Sequence, residues 1–175
     1  YQNRQDAPTF APHTVPARIN PGDPLNRLFS VSDSDVGNTV SVTASTLPAW
    51  VTFDSASLTL SGTPDIADGG RYSITLTATD NTGLTTDLVI NFEVFYDGDG
   101  DGVPDYQEVI DGTDPADPLK YKDSDGDEVP DYVEIEDQTS PSSINRFKDT
   151  DGDGVPDYIE GLEGTDPNNN TSFKD

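Results

Sequence analysis

The chain of 175 residues contains no cysteine and no methionine, and only one histidine and one tryptophan. Without cysteine there is neither a disulfide nor a thiolate metal site, and redox logic leaves the compartment open. Without methionine, even at position 1, the chain reads as part of a longer multidomain protein, and it does not open on a signal peptide. Positive charge is also scarce: 9 Lys and Arg stand against 34 Asp and Glu, a net charge of −25. A chain with no basic face is a poor match for phosphate, which excludes nucleic acid as a partner and disfavours an anionic membrane surface. No apolar run approaches the ~20 residues of a membrane-spanning helix, so direct membrane insertion is not expected. No nucleophile, base and orienting group converge in sequence, and no catalytic activity is expected from these residues.

What charge there is falls unevenly. Residues 1–96 hold 10 acidic and 4 basic residues, while residues 97–175 hold 24 and 5. The net charges of −6 and −19 describe two physical objects joined at Tyr96.

The first, residues 1–96, is rich in Thr, Val, Ser and turn residues. In "RYSITLTATD" the residues Tyr72, Ile74, Leu76 and Ala78 fall on one face, and in "LVINFEV" so do Leu88, Ile90, Phe92 and Val94. A period of two predicts half-buried strands, and "NTG" (Asn81 to Gly83) predicts the hairpin turn between them. "RLFSVS", "TVSVTAS", "WVTFD" and "LTLSGT" add further strands, so the region reads as a Greek-key β-sandwich. Trp50 is expected in its core, since a tryptophan carries a large burial energy. His13 reads as an ordinary loop residue.

The second region repeats. "DGDGDGVPDYQE" begins at Asp97, "DSDGDEVPDYVE" at Asp123 and "DTDGDGVPDYIE" at Asp149, an interval of 26 residues each time. The repeats therefore run 97–122, 123–148 and 149–174, with a fourth beginning at Asp175. Such a period predicts an array of stacked units. Acidic residues stand at positions 1, 3, 5, 9 and 12 of each repeat, the ligand spacing of an EF-hand-type calcium loop. The candidate metal ligands are Asp97, Asp99, Asp101, Asp105 and Glu108; Asp123, Asp125, Asp127, Asp131 and Glu134; and Asp149, Asp151, Asp153, Asp157 and Glu160. Position 7 would add a backbone carbonyl, from Val103, Val129 and Val155. Position 6 calls for the sharp turn that Gly102 and Gly154 allow, whereas Glu128 stands there in the second repeat. An all-oxygen donor set excludes zinc and favours a hard cation, Ca²⁺ over the more exacting Mg²⁺. At least three Ca²⁺ are expected. Pro at position 8 fits a short helix beginning just after each loop. Tyr106, Tyr132 and Tyr158, at position 10, are expected to pack between repeats. Asp114 and Asp166, in "GTDP", are further candidate ligands, with helix termination as the equal alternative.

Two resemblances follow from these residues. "LPAWVTFDSASLTLSGTPDIADGGRYSITLTATDNTG" resembles the dystroglycan-type cadherin-like domain, also described as Ig-like. That implies a seven-stranded sandwich from extracellular tandem-repeat proteins, with calcium at the joints between modules. The ligands it implies are Asp33 and Asp35 in "SDSDVGN", Asp80 in "TATD" and Asp6 of the linker, which reads "QNRQD" rather than the cadherin "DxNDN". "D-D-DG-PD-E" followed by "GTDP" resembles the bacterial thrombospondin type 3 repeat, which implies a calcium-threaded array of EF-hand-like loops with little conventional core. Dockerin also uses such loops, but with two loops and a shorter period.

The expectation is therefore a mainly β chain followed by a calcium-stabilised array of loops and short helices. It would be a non-catalytic, calcium-rigidified spacer in a large bacterial surface or secreted adhesion protein. The alternative is an accessory module of a secreted enzyme, binding a polysaccharide or a protein through its sandwich.

Overall fold

Alternating apolar side chains decide the first unit. The computed structural model describes residues 5–172 and divides into two units, Tyr1–Tyr96 and Asp97–Asp175. The expected start of a fourth repeat at Asp175 and residues 2–4 of the linker lie outside the described residues.

In the first unit nine strands follow in chain order: β1 (Thr9–Phe10), β2 (Arg18–Ile19), β3 (Leu25–Leu28), β4 (Val31–Ser32), β5 (Val40–Ala44), β6 (Val51–Asp54), β7 (Thr59–Gly62), β8 (Gly70–Asp80) and β9 (Thr85–Val94). They form a four-stranded sheet in the order β2-β9-β8-β5, a three-stranded sheet β3-β7-β6 and a small pair β1-β4. β8 and β9 are the long antiparallel pair, in register from Gly70 opposite Val94 to Thr79 opposite Thr85. β2 joins the other edge of β9 in parallel. The turn between β8 and β9 is the predicted one, with Gly83 at φ 91°. Asp80 stabilises it by accepting from the backbone N–H groups of Thr82 and Leu84, each at 2.8 Å.

The inward faces of the two larger sheets, with Phe29 just after β3, supply one core: Ile19, Leu25, Phe29, Val42, Val51, Leu60, Ile74, Leu76, Ala78, Ile90, Phe92 and Val94. Trp50 packs against its rim, edge-on to Tyr72 and Phe92 with centroids 5.9 Å away in both cases. Gly62 permits this approach, because a Cβ there would stand 2.1 Å from the Trp50 carbonyl oxygen. The glycine of "LSGTP", the last residue of β7, is thus fixed by the neighbouring backbone.

The second unit contains three short helices, α1 (Asp105–Asp111), α2 (Asp131–Glu136) and α3 (Asp157–Glu163). Each begins directly after a proline in extended conformation. α1 and α3 end at Gly112 and Gly164 in the left-handed region, the usual glycine stop. At the corresponding point of the second repeat Gln138 takes φ 61°. Apolar burial is sparse: Val103, Val129, Tyr132 and the prolines Pro104, Pro130 and Pro156 are the buried apolar residues described in this unit.

Candidate metal centre

Asx turns shape each acidic loop. The position 1 aspartate accepts two backbone N–H groups from its own loop: Asp97 from Gly100 and Gly102, Asp123 from Gly126 and Glu128, and Asp149 from Gly152 and Gly154, all between 2.7 and 3.0 Å. The position 5 aspartate accepts the N–H of the position 7 valine, at 2.8 Å for Asp101, 3.1 Å for Asp127 and 2.9 Å for Asp153. Val103, Val129 and Val155 thus brace the loop through their N–H groups. Position 3 follows suit in the outer loops, where Asp99 and Asp151 accept the N–H of Asp101 and Asp153.

This bracing turns the carboxylates inward. Asp97, Asp99 and Asp101 each offer an oxygen within 4.8 Å of the others, as do Asp123, Asp125 and Asp127, and Asp149, Asp151 and Asp153. Beneath them lies the position 12 glutamate of the following helix; Glu108, Glu134 and Glu160 are 0%, 0% and 1% exposed. Several of these oxygens are buried with no hydrogen-bond donor: Oδ2 of Asp99, Asp101, Asp127, Asp151 and Asp153, both oxygens of Asp125 and Glu134, and Oε2 of Glu108 and Glu160. A buried acceptor left unsatisfied is costly, and these point to one demand, a hard cation with several oxygen ligands. The donor set fits calcium.

Electrostatics agrees with the geometry. Burial, reinforced by the neighbouring aspartates, pushes the Glu108 and Glu134 carboxyls up to about 7 and Asp101 up to about 6. Glu160, Asp99, Asp127 and Asp151 are raised for the same first cause.

The position 9 aspartates behave differently. Asp105 accepts the N–H of Gly98 at 2.7 Å. Asp131 takes the N–H and the hydroxyl of Ser124 at 2.7 and 2.6 Å, and Asp157 takes those of Thr150 at 2.7 and 2.5 Å. Lys122 and Lys148 lie 3.1 and 3.4 Å from Asp131 and Asp157. Burial acts against ionisation of these two, but the hydroxyl, the N–H and the lysine outweigh it and leave both carboxyls below the usual range. They clamp the entry of the loop to the start of the helix, while the carboxylates of positions 1, 3 and 5 converge and the buried position 12 glutamate feels their charge. In sequence, the lysine before Asp123 and Asp149 marks this clamp. A repeated threonine marks another support: Thr113 and Thr165 approach Oε1 of Glu108 and Glu160 at 3.5 and 3.3 Å, and Thr139 donates to the Glu134 carbonyl at 3.1 Å.

Asp114 and Asp166 accept the N–H two residues on, from Ala116 and Asn168, and shape the turn after the helix. In the first unit Asn38 lies between Asp33 and Asp80, at 3.4 Å from each. Asp35 accepts the N–H of Asp6 at 2.7 Å, and Ser34 donates to the Asp6 carboxylate at 3.3 Å. The four aspartates are therefore neighbours. Among the described residues, though, the three-carboxylate groupings are the ones in the repeats, and Asp80 is engaged by Thr82 and Leu84.

Tyr158 does pack between repeats. Its hydroxyl donates to the carbonyl of Asp101 at 2.7 Å, and its ring meets Tyr121 edge-on with centroids 6.4 Å apart. Tyr121 donates to the Glu128 carbonyl at 3.2 Å. Burial raises both phenols, so they stay protonated donors.

Comparison with known proteins divides the chain at the same place. The sequence profile of the family described as "Putative Ig domain" matches residues 7–95. That of the bacterial TSP3 repeat matches residues 97–118 and 149–170, the first and third repeats. A serine-rich adhesin for platelets from Staphylococcus aureus (strain MRSA252) is 34% identical over 80 residues, 46% of this chain and 6% of that protein. The matching adhesin of strain MW2 is also 34% identical over 80 residues, 3% of its length. Among solved structures, an endo-fucoidan hydrolase of glycoside hydrolase family 107 is 33% identical, covering 55% of this chain and 18% of that one at a TM-score of 0.43. A chimeric titin Z1Z2 tandem is 17% identical, covering 54% and 52% at a TM-score of 0.36. The chain thus spans a small fraction of its curated relatives.

Two outcomes follow from the loops. Glu108 and Glu134 titrate higher in the fold than the ordinary 4.5 of glutamate. Their protonated form favours the metal-free fold, fully below pH ~4.5, and that contribution is lost as pH rises through about 7. Calcium binding at pH 6 should therefore release protons and be weaker than at pH 8. Calorimetry in buffers of different ionisation enthalpy checks this, and a proton count that is zero at both pH values would contradict it. Second, Glu128 takes φ 71° where Gly102 and Gly154 take 83° and 94°. Left-handed backbone costs a side-chain residue about 1–2 kcal/mol, so Glu128→Gly should tighten calcium binding at the second loop several-fold. Unchanged or weaker binding at that loop would remove strain as the explanation.

Proposed function

The chain belongs to the "Putative Ig domain" family through residues 7–95, and from that premise we propose that it is a non-catalytic, calcium-rigidified module of a bacterial surface or secreted adhesion protein. The observation that carries the reading is the set of buried, donor-less carboxylate oxygens in three successive loops. In this reading Asp97, Asp99, Asp101 and Glu108 hold one ion, Asp123, Asp125, Asp127 and Glu134 a second, and Asp149, Asp151, Asp153 and Glu160 a third. The carbonyls of Val103, Val129 and Val155 complete them, and Asp105, Asp131 and Asp157 act from behind, directly or through a water. A fourth ion among Asp6, Asp33, Asp35 and Asp80 is the finer, cadherin-type element of the proposal; their gathering around Asn38 is what supports it.

The energetic role of the metal follows from composition. The repeat unit buries few apolar side chains, so hydrophobic burial does not offset chain entropy there. Metal binding supplies the difference, as in other units that order on loading. Three Ca²⁺ leave the repeats at a net −13 from −19, so the stripped unit expands and the loaded one stiffens. Extracellular calcium modules work at roughly 10⁻⁴–10⁻³ M, a range filled outside cells and not in cytosol. An extracellular location accords with this and with the adhesin relatives. Among the described residues no helix is long and apolar enough to cross a membrane.

A cavity in the sandwich supports a second reading, the ligand-binding module. It is an open groove of about 520 Å³ lined by Pro12, His13, Thr14, Arg27, Leu28 and Phe29, with no carboxylate in a strongly acidic chain. The size is that of small-molecule sites, and a polysaccharide segment is the occupant such a lining suits.

Calcium titration by calorimetry, with circular dichroism and small-angle scattering before and after chelation, tests the first reading. At least three ions should bind, and chelation should expand the repeats while Trp50 fluorescence of the sandwich stays native. No binding at millimolar calcium would refute it. A glycan array separates the second: a spacer gives no saturable ligand, while a sandwich that binds one loses it on Arg27→Ala.

A further inference from the structure

We infer that Tyr158 is a positioning residue for the acidic loop of the first repeat, and that it couples calcium occupancy of the third loop to calcium affinity at the first. This rests on the calcium reading above and adds a link between sites in non-adjacent repeats.

The link is built from both ends. Tyr158 is the second residue of α3. Two groups of the third loop set the place of α3: Asp157, held by Thr150 at the mouth of the loop, and Glu160, buried beneath its carboxylates. An ion drawing Glu160 toward Asp149, Asp151 and Asp153 therefore fixes α3 and the ring it carries. At the other end, the Tyr158 hydroxyl holds the peptide carbonyl of Asp101 at 2.7 Å across 57 positions of sequence. Asp101 is 1% exposed, and its Oδ2 is one of the donor-less oxygens facing the centre of the first loop.

The next residue confirms how closely this back surface is seated. Gly102 takes φ +83°, and a Cβ there would lie 3.4 Å from the Tyr158 ring and 3.6 Å from a Val133 methyl. Positions 5 and 6 of the first loop thus rest on side chains of the second and third repeats. Rotating the Asp101 peptide would swing its carboxylate, and the phenol resists that rotation. A single hydrogen bond of ordinary net strength corresponds to about a fivefold change in affinity, within the range of measured couplings between sites.

The reporters are already present. The Gly102 and Gly154 amides donate to the position 1 carboxylates Asp97 and Asp149 at 2.8 and 3.0 Å, so their nitrogen–proton correlation peaks follow the two loops separately. Calcium titrations of the full chain would be compared for the parent, Glu160→Gln, Tyr158→Phe and the double variant. In Glu160→Gln the Gly154 response should weaken strongly, and the Gly102 midpoint should move to about fivefold higher calcium. In the Tyr158→Phe background, where the ring remains, Glu160→Gln should leave the Gly102 midpoint unmoved. A Gly102 midpoint indifferent to Glu160→Gln in the parent would overturn the coupling, as would an equal shift with phenylalanine in place. If neither glycine responds to millimolar calcium, the calcium reading itself fails, and the coupling with it.

Discussion

Mutual repulsion of carboxylates held a few ångströms apart is the constraint from which the second unit is built. Unit charges within 4.8 Å of one another, as in each group, repel by about 3 kcal/mol or more at an effective dielectric constant near 20, before screening by solvent and salt. One hydrogen bond contributes about 1 kcal/mol net, somewhat more when one partner is charged. The Asx turns at positions 1 and 5 can therefore shape the loop, but they do not neutralise it. Only protons or a cation do. The raised titration of Glu108 and Glu134 is the proton answer, and a divalent ion held by the same oxygens is the other.

This makes the two units opposites in how they gain order. In the sandwich, eleven buried apolar residues from two sheets, with Phe29 just after β3, carry the fold, and alternating side chains specify which face is which. In the repeats, much of what is buried is charged: Asp101, Glu108, Asp131, Glu134 and Glu160. Apolar burial there is limited to Val103, Val129, Tyr132 and the prolines Pro104, Pro130 and Pro156 among the described residues. A core made of carboxylates is stable only as part of an ionic cluster. In the proposed reading the order of the repeats is therefore tied to calcium, while the sandwich rests on its apolar core.

Features that depend on local period were legible in the sequence. The two faces of β8 and β9, the turn at Gly83, the 26-residue repeat and the converging aspartates at positions 1, 3 and 5 all follow from spacing. Features that depend on a partner distant in sequence were not. Asp105, Asp131 and Asp157 stand at ligand spacing, and spacing does not show that they also accept the N–H of position 2, with a hydroxyl added at Asp131 and Asp157. For Asp131 and Asp157 the preceding lysine and the serine or threonine at position 2 become partners only once the fold brings them together. Trp50 was expected in the core and lies at its rim, over a glycine whose need for a bare Cα comes from the Trp50 carbonyl. Tyr158 was expected to pack between repeats; that its target is the Asp101 carbonyl two repeats back depends on how three units stack.

The middle repeat shows what such stacking permits. It has Glu128 and Gln138 in left-handed conformations that its neighbours give to glycine, and Ser140 in place of the aspartate of "GTDP". The TSP3 profile matches the repeats on either side of it. Its three aspartates nevertheless converge as closely as theirs. Part of its structural contribution lies outside its loop: Val133 lies against Gly102, and the Glu128 carbonyl receives Tyr121, whose ring meets Tyr158. A repeat that serves as packing for the first can carry a strained loop, because the contact from Tyr158 to Asp101 joins the outer repeats directly. Strain at the centre of the array is then compatible with order at its ends.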